Sequence, residues 1–277
     1  MVALAIALTA CGGDPPPRTP GAADPGTGHV HGVGVDPSDG AVYIAAHYGV
    51  FKIVNAARAD RVAGRVQDTM GFTIVGPKTF LASGHPSAAD IGPGVSPHLG
   101  LIRSTDAGRT WSSVSEAGKA DFHSLQPAGD YLYAYDSQTA KVRFSRDGGR
   151  TWTLGAGMEL IDLAAHKDRP EKVYATTPQG LQVSDDSAAA FKPVAGAPLL
   201  THVDSPTAGT LLGVTPDGRI LASRSAGGWE RRGQVPGGQA TAFTAVDERR
   251  LLAVIEDGTV HQSRDGGRTF SAVYRNG

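Results

Sequence analysis

Short apolar stretches alternate with turn residues along the chain from His29 onward. A representative segment reads TFLASGH, LGLIRS and TWSSV, and glycine, proline or aspartate lies near the ends of such stretches. Short runs bounded by turn residues are typical of β-strands. The spacing of apolar residues that marks an amphipathic helix is not found in the sequence. The pattern therefore predicts an all-β protein built from many short strands.

One polar turn recurs along this pattern and sets its period. Complete copies begin at Ser104, Ser145 and Ser263, and degenerate copies begin at Ser184 and Ser223. The five serines are 41, 39, 39 and 40 residues apart. A repeat of about 40 residues with four strands is typical of a β-propeller blade. Residues 29–277 thus predict six four-stranded antiparallel blades, with seven less favoured, and residues 55–65 and 87–97 are predicted to be irregular inserts.

Each conserved position of the turn S-x-D-x-G-x-T-(W/F) has a structural use within this chain. The aspartate accepts backbone N–H groups of its own turn, the glycine takes a positive φ, and the aromatic ring packs on the sheet. A structural role is therefore assigned to Asp106, Asp147, Asp265, Gly108, Gly149, Gly267, Trp111, Trp152 and Phe270.

This turn resembles the Asp-box, or BNR repeat, of sialidase-like β-propellers. The resemblance implies that the boxes lie on the face opposite the ligand. Sialidases of that family also use an arginine cluster, a tyrosine nucleophile with a glutamate partner, an aspartate acid and an Arg-Ile-Pro sequence. Arg-Ile-Pro is absent here, and Arg109, Arg150 and Arg268 belong to box turns. Because photosystem assembly factors of a related repeat act by binding, we rank a ligand-binding or assembly module first and an exo-sialidase-like glycoside hydrolase second.

Five histidines are expected at the ligand face. His29 and His31 begin the innermost strand of blade one, and His123 begins that of blade three. His47 and His85 end the second strands of blades one and two. In propellers of this family these strand ends share one mouth of the channel. Imidazole is the commonest metal ligand, so a Zn²⁺ or copper site is one interpretation; a metal-free polar pocket and separate structural roles are the alternatives.

Three other residues are candidate ligand contacts at the same mouth. Tyr48 directly follows His47, while Asp136 and Glu256 end the second strands of blades three and six. Asp136 is expected either to add a carboxylate or to support a neighbouring ligand. The sequence gives no pairing of carboxylates of the kind that a glycosidase needs, and it fixes no catalytic residue.

The N-terminus resembles a bacterial lipoprotein signal. Residues 1–10 are largely apolar and end in Leu-Thr-Ala before Cys11, as in a lipobox, where the cysteine becomes lipidated. A secretory signal normally starts with basic residues; here none precedes the apolar run, so we expect the true start to lie upstream. Residues 12–28 are rich in proline and glycine and predict a disordered tether.

These features define the expected location and partners. The protein is expected to be exported and anchored to the outer face of the bacterial cell membrane through Cys11. A formal net charge of -1 gives no support for nucleic acid as a partner, since that would need a basic face. We expect a monomer with an unidentified ligand or protein partner.

Overall fold

The computed structural model describes residues 24–224 and 227–276. The predicted signal segment 1–11 and most of the predicted tether lie outside the described residues, and Cys11 lies there too. The described chain forms six sheets, each of four antiparallel strands. This confirms the prediction of a six-bladed β-propeller.

The blades follow one another along the chain, and the first strand of each blade is the innermost. Blade one contains β1 Val30–Val35, β2 Val42–Ala46, β3 Gly49–Asn55 and β4 Arg58–Arg61; blade two contains β5 Asp68–Gly76, β6 Thr79–His85, β7 Leu101–Ser104 and β8 Ser112–Ser115; blade three contains β9 Phe122–Ala128, β10 Tyr131–Asp136, β11 Lys141–Ser145 and β12 Thr153–Gly157. Blade four contains β13 Asp162–His166, β14 Arg169–Thr177, β15 Gly180–Ser184 and β16 Lys192–Pro193; blade five contains β17 His202–Thr207, β18 Thr210–Val214, β19 Arg219–Arg224 and β20 Gly227–Gln234; blade six contains β21 Ala240–Ala245, β22 Leu251–Ile255, β23 Val260–Ser263 and β24 Ser271–Tyr274.

The outermost strand of blade one lies within a segment that the sequence predicts to be irregular. That prediction is wrong for residues 55–65, because β4 pairs with β3 and places Phe51 opposite Arg61. The strand reads RADR and has no fully buried residue, so it lacks the apolar signal on which the prediction depends. Residues 87–97 contain no strand, as predicted.

The box turns are closed by a repeated set of side-chain bonds. The Oγ of Ser145 donates to Asp147 at 2.7 Å and accepts the N–H of Gly149 at 2.8 Å. The Asp147 carboxylate in turn accepts the N–H and the hydroxyl of Thr151 at 2.9 and 2.7 Å. Corresponding bonds from Thr110 lower the pKa of Asp106 to about 2. Every bond lies within the turn, which is the geometry a structural role requires.

The degenerate box of blade four keeps this turn without its glycine. The Oγ of Ser184 donates to Asp186 at 2.6 Å and accepts the N–H of Ala188 at 2.9 Å. Ser187 and Ala188 adopt φ values of 60° and 66°, in the left-handed region that normally favours glycine. The serine and aspartate bonds therefore maintain the turn even where its backbone is strained.

The core lies between the blades. Apolar side chains from each pair of neighbouring blades form one cluster, so six clusters surround the channel. The box rings of Trp111, Trp152 and Phe270 each pack into the cluster that joins their own blade to the preceding one. Val30, Leu252 and Tyr274 belong to the cluster that joins blades six and one and closes the ring. A helix long and apolar enough to cross a membrane does not occur in the described part of the chain.

Candidate metal-binding site

A central channel of about 670 Å³ is lined by the innermost strands of the blades. The N–H of His47 donates to the carbonyl of His29 at 3.0 Å, so the start of a first strand and the end of a second strand meet at one rim. In blade two, Asp68 and His85 are paired at that end of β5 and β6, while Phe80 pairs with Ser104 at the opposite end. Since Ser104 opens a box turn, that box lies on the face opposite the histidines.

The first group of candidate ligands consists of His31, His47 and Asp68. The Nε2 of His31 lies 4.0 Å from Oδ1 of Asp68, and Nδ1 of His47 lies 4.0 Å from Oδ2 of the same carboxylate. One potential ligand atom from each residue falls within 4.8 Å of the others. The ring of His29 lies 4.9 Å from that of His31, measured between centroids, so the structure brings three of the predicted histidines together.

The protonation of His31 suits metal binding. Its side chain is 14% exposed, and burial, helped by the imidazoles of His47 and His29, lowers its pKa to about 3. The ring is therefore neutral at physiological pH, which a metal ligand requires. Both Nε2 of His31 and Oδ1 of Asp68 are buried without a hydrogen-bond partner. Burial also raises the pKa of Asp68.

The other two predicted histidines belong to a second group, centred on Asp121. The Nε2 atoms of His85 and His123 lie 3.6 and 2.8 Å from Oδ2 of Asp121. His98 completes this group, because its ring centroid lies 5.4 Å from that of His85. The five predicted histidines are thus divided between two neighbouring groups.

The three predicted ligand contacts have different positions. Tyr48 is 39% exposed, and its ring centroid lies 6.4 Å from that of His47. Glu256 is exposed in the turn after β22. Asp136 is fully buried and does not itself line the mouth; its carboxylate accepts the N–H of Asp121 at 3.2 Å and pairs with Arg143 at 2.5 Å. Asp136 therefore supports Asp121 from behind.

Three members of these groups were missing from the sequence prediction, namely Asp68, His98 and Asp121. Asp68 opens β5, and Asp121 directly precedes β9, so both begin innermost strands as His29 does. Comparing the strand starts of all blades, rather than searching for histidines, would have found Asp121. His98 follows the irregular segment 87–97, where the repeat pattern gives no position.

Two further carboxylates line the channel and join blades. Asp162 accepts the N–H groups of Leu163 at 2.9 Å and of Val203, in the next blade, at 3.1 Å. Asp204 accepts the N–H of its neighbour Ser205 at 2.7 Å and that of Ala245 at 2.8 Å. Burial raises the pKa of Asp162 to about 8 and that of Asp204 to about 6.

Comparison with known proteins relates this chain to others by fold. No family model matches the sequence, and no curated protein matches it. Solved structures similar to it include the GH74 enzyme of Niastella koreensis, with 16% identity and a TM-score of 0.59 over 89% of this chain and 45% of that one. A chain of the nidogen/laminin complex has 10% identity and a TM-score of 0.63 over 84% of this chain and 93% of that one. YCF48 bound to a D1 peptide has 13% identity and a TM-score of 0.55 over 90% and 81%.

These likenesses establish the propeller fold alone. The chain covers less than half of the GH74 enzyme, and its neighbours include an enzyme as well as chains in complex with a protein or peptide. The geometry of the channel mouth, rather than the fold, therefore bears on the function.

Proposed function

We propose that this protein is an exported, lipid-anchored propeller that binds a transition-metal ion, Zn²⁺ or copper, at its channel mouth and acts as a binding or assembly module. The observation that carries the proposal is the convergence of His31, His47 and Asp68 within 4.8 Å of one another. Nε2 of His31 and Oδ1 of Asp68 are buried and have no hydrogen-bond partner.

The spacing of these atoms supports a shared ion. At 4.0 Å, His31 and Asp68 are too far apart for a hydrogen bond. Ligand bonds to zinc are about 2 Å long, so two ligands of one ion lie roughly 3–4 Å apart. Three protein ligands with a fourth position open to solvent are typical of zinc sites that bind a further molecule. The side chain of His47 is 44% exposed, so the site is open to solvent on that side.

Calorimetric titration of the full-length protein with Zn²⁺ and with Cu²⁺ tests this proposal. We expect His31→Ala to weaken binding by at least about 10-fold, because even indirect damage to a metal site has effects of that size. His166→Ala is the matched control, since His166 ends β13 in blade four, far along the ring from His31. Thermal unfolding should show that both variants are folded. The proposal fails if the wild-type protein binds neither ion, or if His31→Ala binds them as the wild type does.

The membrane attachment is tested separately at Cys11. If its thiol carries the lipid, Cys11→Ser should shift the protein from the membrane fraction to the soluble fraction, or block its maturation. Because Cys11 precedes the propeller strands in the sequence, metal binding should not change. Unaltered membrane fractionation of the variant would contradict the lipoprotein assignment.

The box turns support a common origin with Asp-box repeats, and this origin keeps glycoside hydrolysis as the second-ranked function. The channel carboxylates do not favour it. Asp162 and Asp204 each use both oxygens to accept backbone N–H groups, whereas a glycosidase needs one carboxylic acid and one free carboxylate facing the substrate. Turnover of fluorogenic glycosides by the purified protein would reverse this ranking.

A further inference from the structure

We infer that the channel mouth is a two-metal centre, in which a second ion is bound by His85, His98 and Asp121. This inference rests on the proposed function for the first ion, bound by His31, His47 and Asp68. Within the second group, His85, His98 and Asp121 each offer one ligand atom within 4.8 Å of the others. Both groups therefore meet the same geometric condition.

The second group contains buried atoms that need a partner. Asp121 is 3% exposed, and its Oδ1 has no hydrogen-bond partner; the same holds for Nδ1 of His98. A buried polar atom without a partner destabilises the folded state, and a cation between these atoms would satisfy both. In the first group, Oδ1 of Asp68 and Nε2 of His31 present the same need.

The surroundings of the second group fix its ligands in the required form. Nδ1 of His85 lies 2.8 Å from the carbonyl oxygen of Pro97. A carbonyl only accepts, so Nδ1 donates its hydrogen to it, and Nε2 is the ring nitrogen that faces Asp121. Metal-binding histidines commonly donate their other N–H to a backbone carbonyl in this way.

The carboxylate of Asp121 is also held from outside. The Oγ of Ser137 donates to Oδ2 at 3.0 Å, and Nε2 of His123 lies 2.8 Å from the same oxygen. Behind it, Asp136 accepts the Asp121 N–H. These bonds hold Oδ2 in place, while Oδ1 remains available for an ion. His123 thus belongs to the outer support of the second ion.

The two groups are neighbours in blade two. Asp68 of the first group and His85 of the second are directly paired across β5 and β6. Side chains of directly opposed residues start about 5 Å apart. The two ions would therefore lie close enough to repel each other, and the second equivalent should bind more weakly than the first.

Metal stoichiometry of the full-length protein tests the inference. After equilibrium dialysis against Zn²⁺, we expect two ions per wild-type chain, one per His85→Ala chain and one per His31→Ala chain. His85 is chosen because its side chain is 32% exposed, so its replacement should not unfold the blade. His166→Ala is the control and should retain two ions.

The outcomes separate this inference from the function on which it rests. One ion in the wild type, lost in His31→Ala and retained in His85→Ala, would overturn the second site and leave the proposed function standing. No bound ion would overturn both. One ion removed by either substitution would show a single mixed site and would also overturn the two-metal centre.

Paramagnetic resonance of the Cu²⁺-loaded protein gives a second measurement. Two neighbouring Cu²⁺ ions should produce a spectrum broadened by their mutual coupling in the wild type. His85→Ala, loaded with one equivalent, should give the sharp spectrum of an isolated ion. Identical isolated-ion spectra for both proteins at full loading would contradict the inference.

Discussion

Single residues of the box turns show two ways of holding a left-handed backbone. Gly108 and Gly149 occupy the same box position, with φ values of +82° and +87°, where glycine carries no steric penalty. Ala188 occupies that position in blade four at 66°, and its N–H still bonds to Ser184. An alanine is thus compatible with the turn itself, and the space around each position decides what a substitution costs.

Alanine substitutions at these two glycines should therefore differ in effect. A Cβ at Gly108 would meet its nearest neighbour, a ring carbon of Phe80, at 3.6 Å, whereas a Cβ at Gly149 would lie 2.1 Å from Cδ2 of Leu101. Both variants incur the left-handed penalty of roughly 1–2 kcal/mol. Gly149→Ala should lose about 1–3 kcal/mol more, because it overpacks the core. Urea unfolding measures both, and equal losses would contradict this account.

At the scale of strands and turns, the sequence predicts the buried strands and the repeated turns. The inner strands carry apolar residues and the box turns carry fixed polar ones, so six blades and their order could be derived without coordinates. The exposed edge strand β4 could not, since RADR is held by pairing with β3 rather than by apolar burial.

The same reasoning explains which site residues were predictable. His29, His31 and His47 come together because β1 and β2 form one hairpin, whose ends are evident in the sequence. Asp68 was harder to place because the pairing of β5 with β6 shifts register between Thr69 and Phe72. A shift of this kind interrupts the two-residue alternation that predicts the face of the sheet to which each side chain points. His98 follows a long insert, and its position depends on tertiary structure alone.

At the scale of the whole molecule, carboxylates in the channel make the stability of the propeller depend on pH. Asp162 and Asp204 each link two consecutive blades through a backbone N–H of the next inner strand. They lie in the same channel wall, on the blades that carry no member of the two metal-ligand groups. Blades one to three thus supply the candidate ligands, while blades four to six are linked through half-buried channel carboxylates.

Asp162 should make the propeller less stable as the pH rises. Burial raises its pKa from 3.8 to about 8 on folding, so between these values the folded chain binds one more proton than the unfolded chain. By linkage, the free energy of unfolding falls with increasing pH across this window and is unaffected by this group outside it. Asp162→Asn should therefore show a shallower decline between pH 4 and pH 8 in urea unfolding, whatever its absolute stability.

The exposed Asp130 provides the matched control for this measurement. It lies in the turn between β9 and β10, outside the channel wall formed by the inner strands, so Asp130→Asn should retain the wild-type dependence on pH. The slopes are compared rather than the absolute stabilities, because Asp162→Asn leaves only one accepting oxygen for the two N–H groups of Leu163 and Val203 and so changes the stability itself. If Asp162→Asn declines as steeply as the wild type, the carboxylate ionises normally in the folded channel, and the coupling between channel burial and stability is wrong.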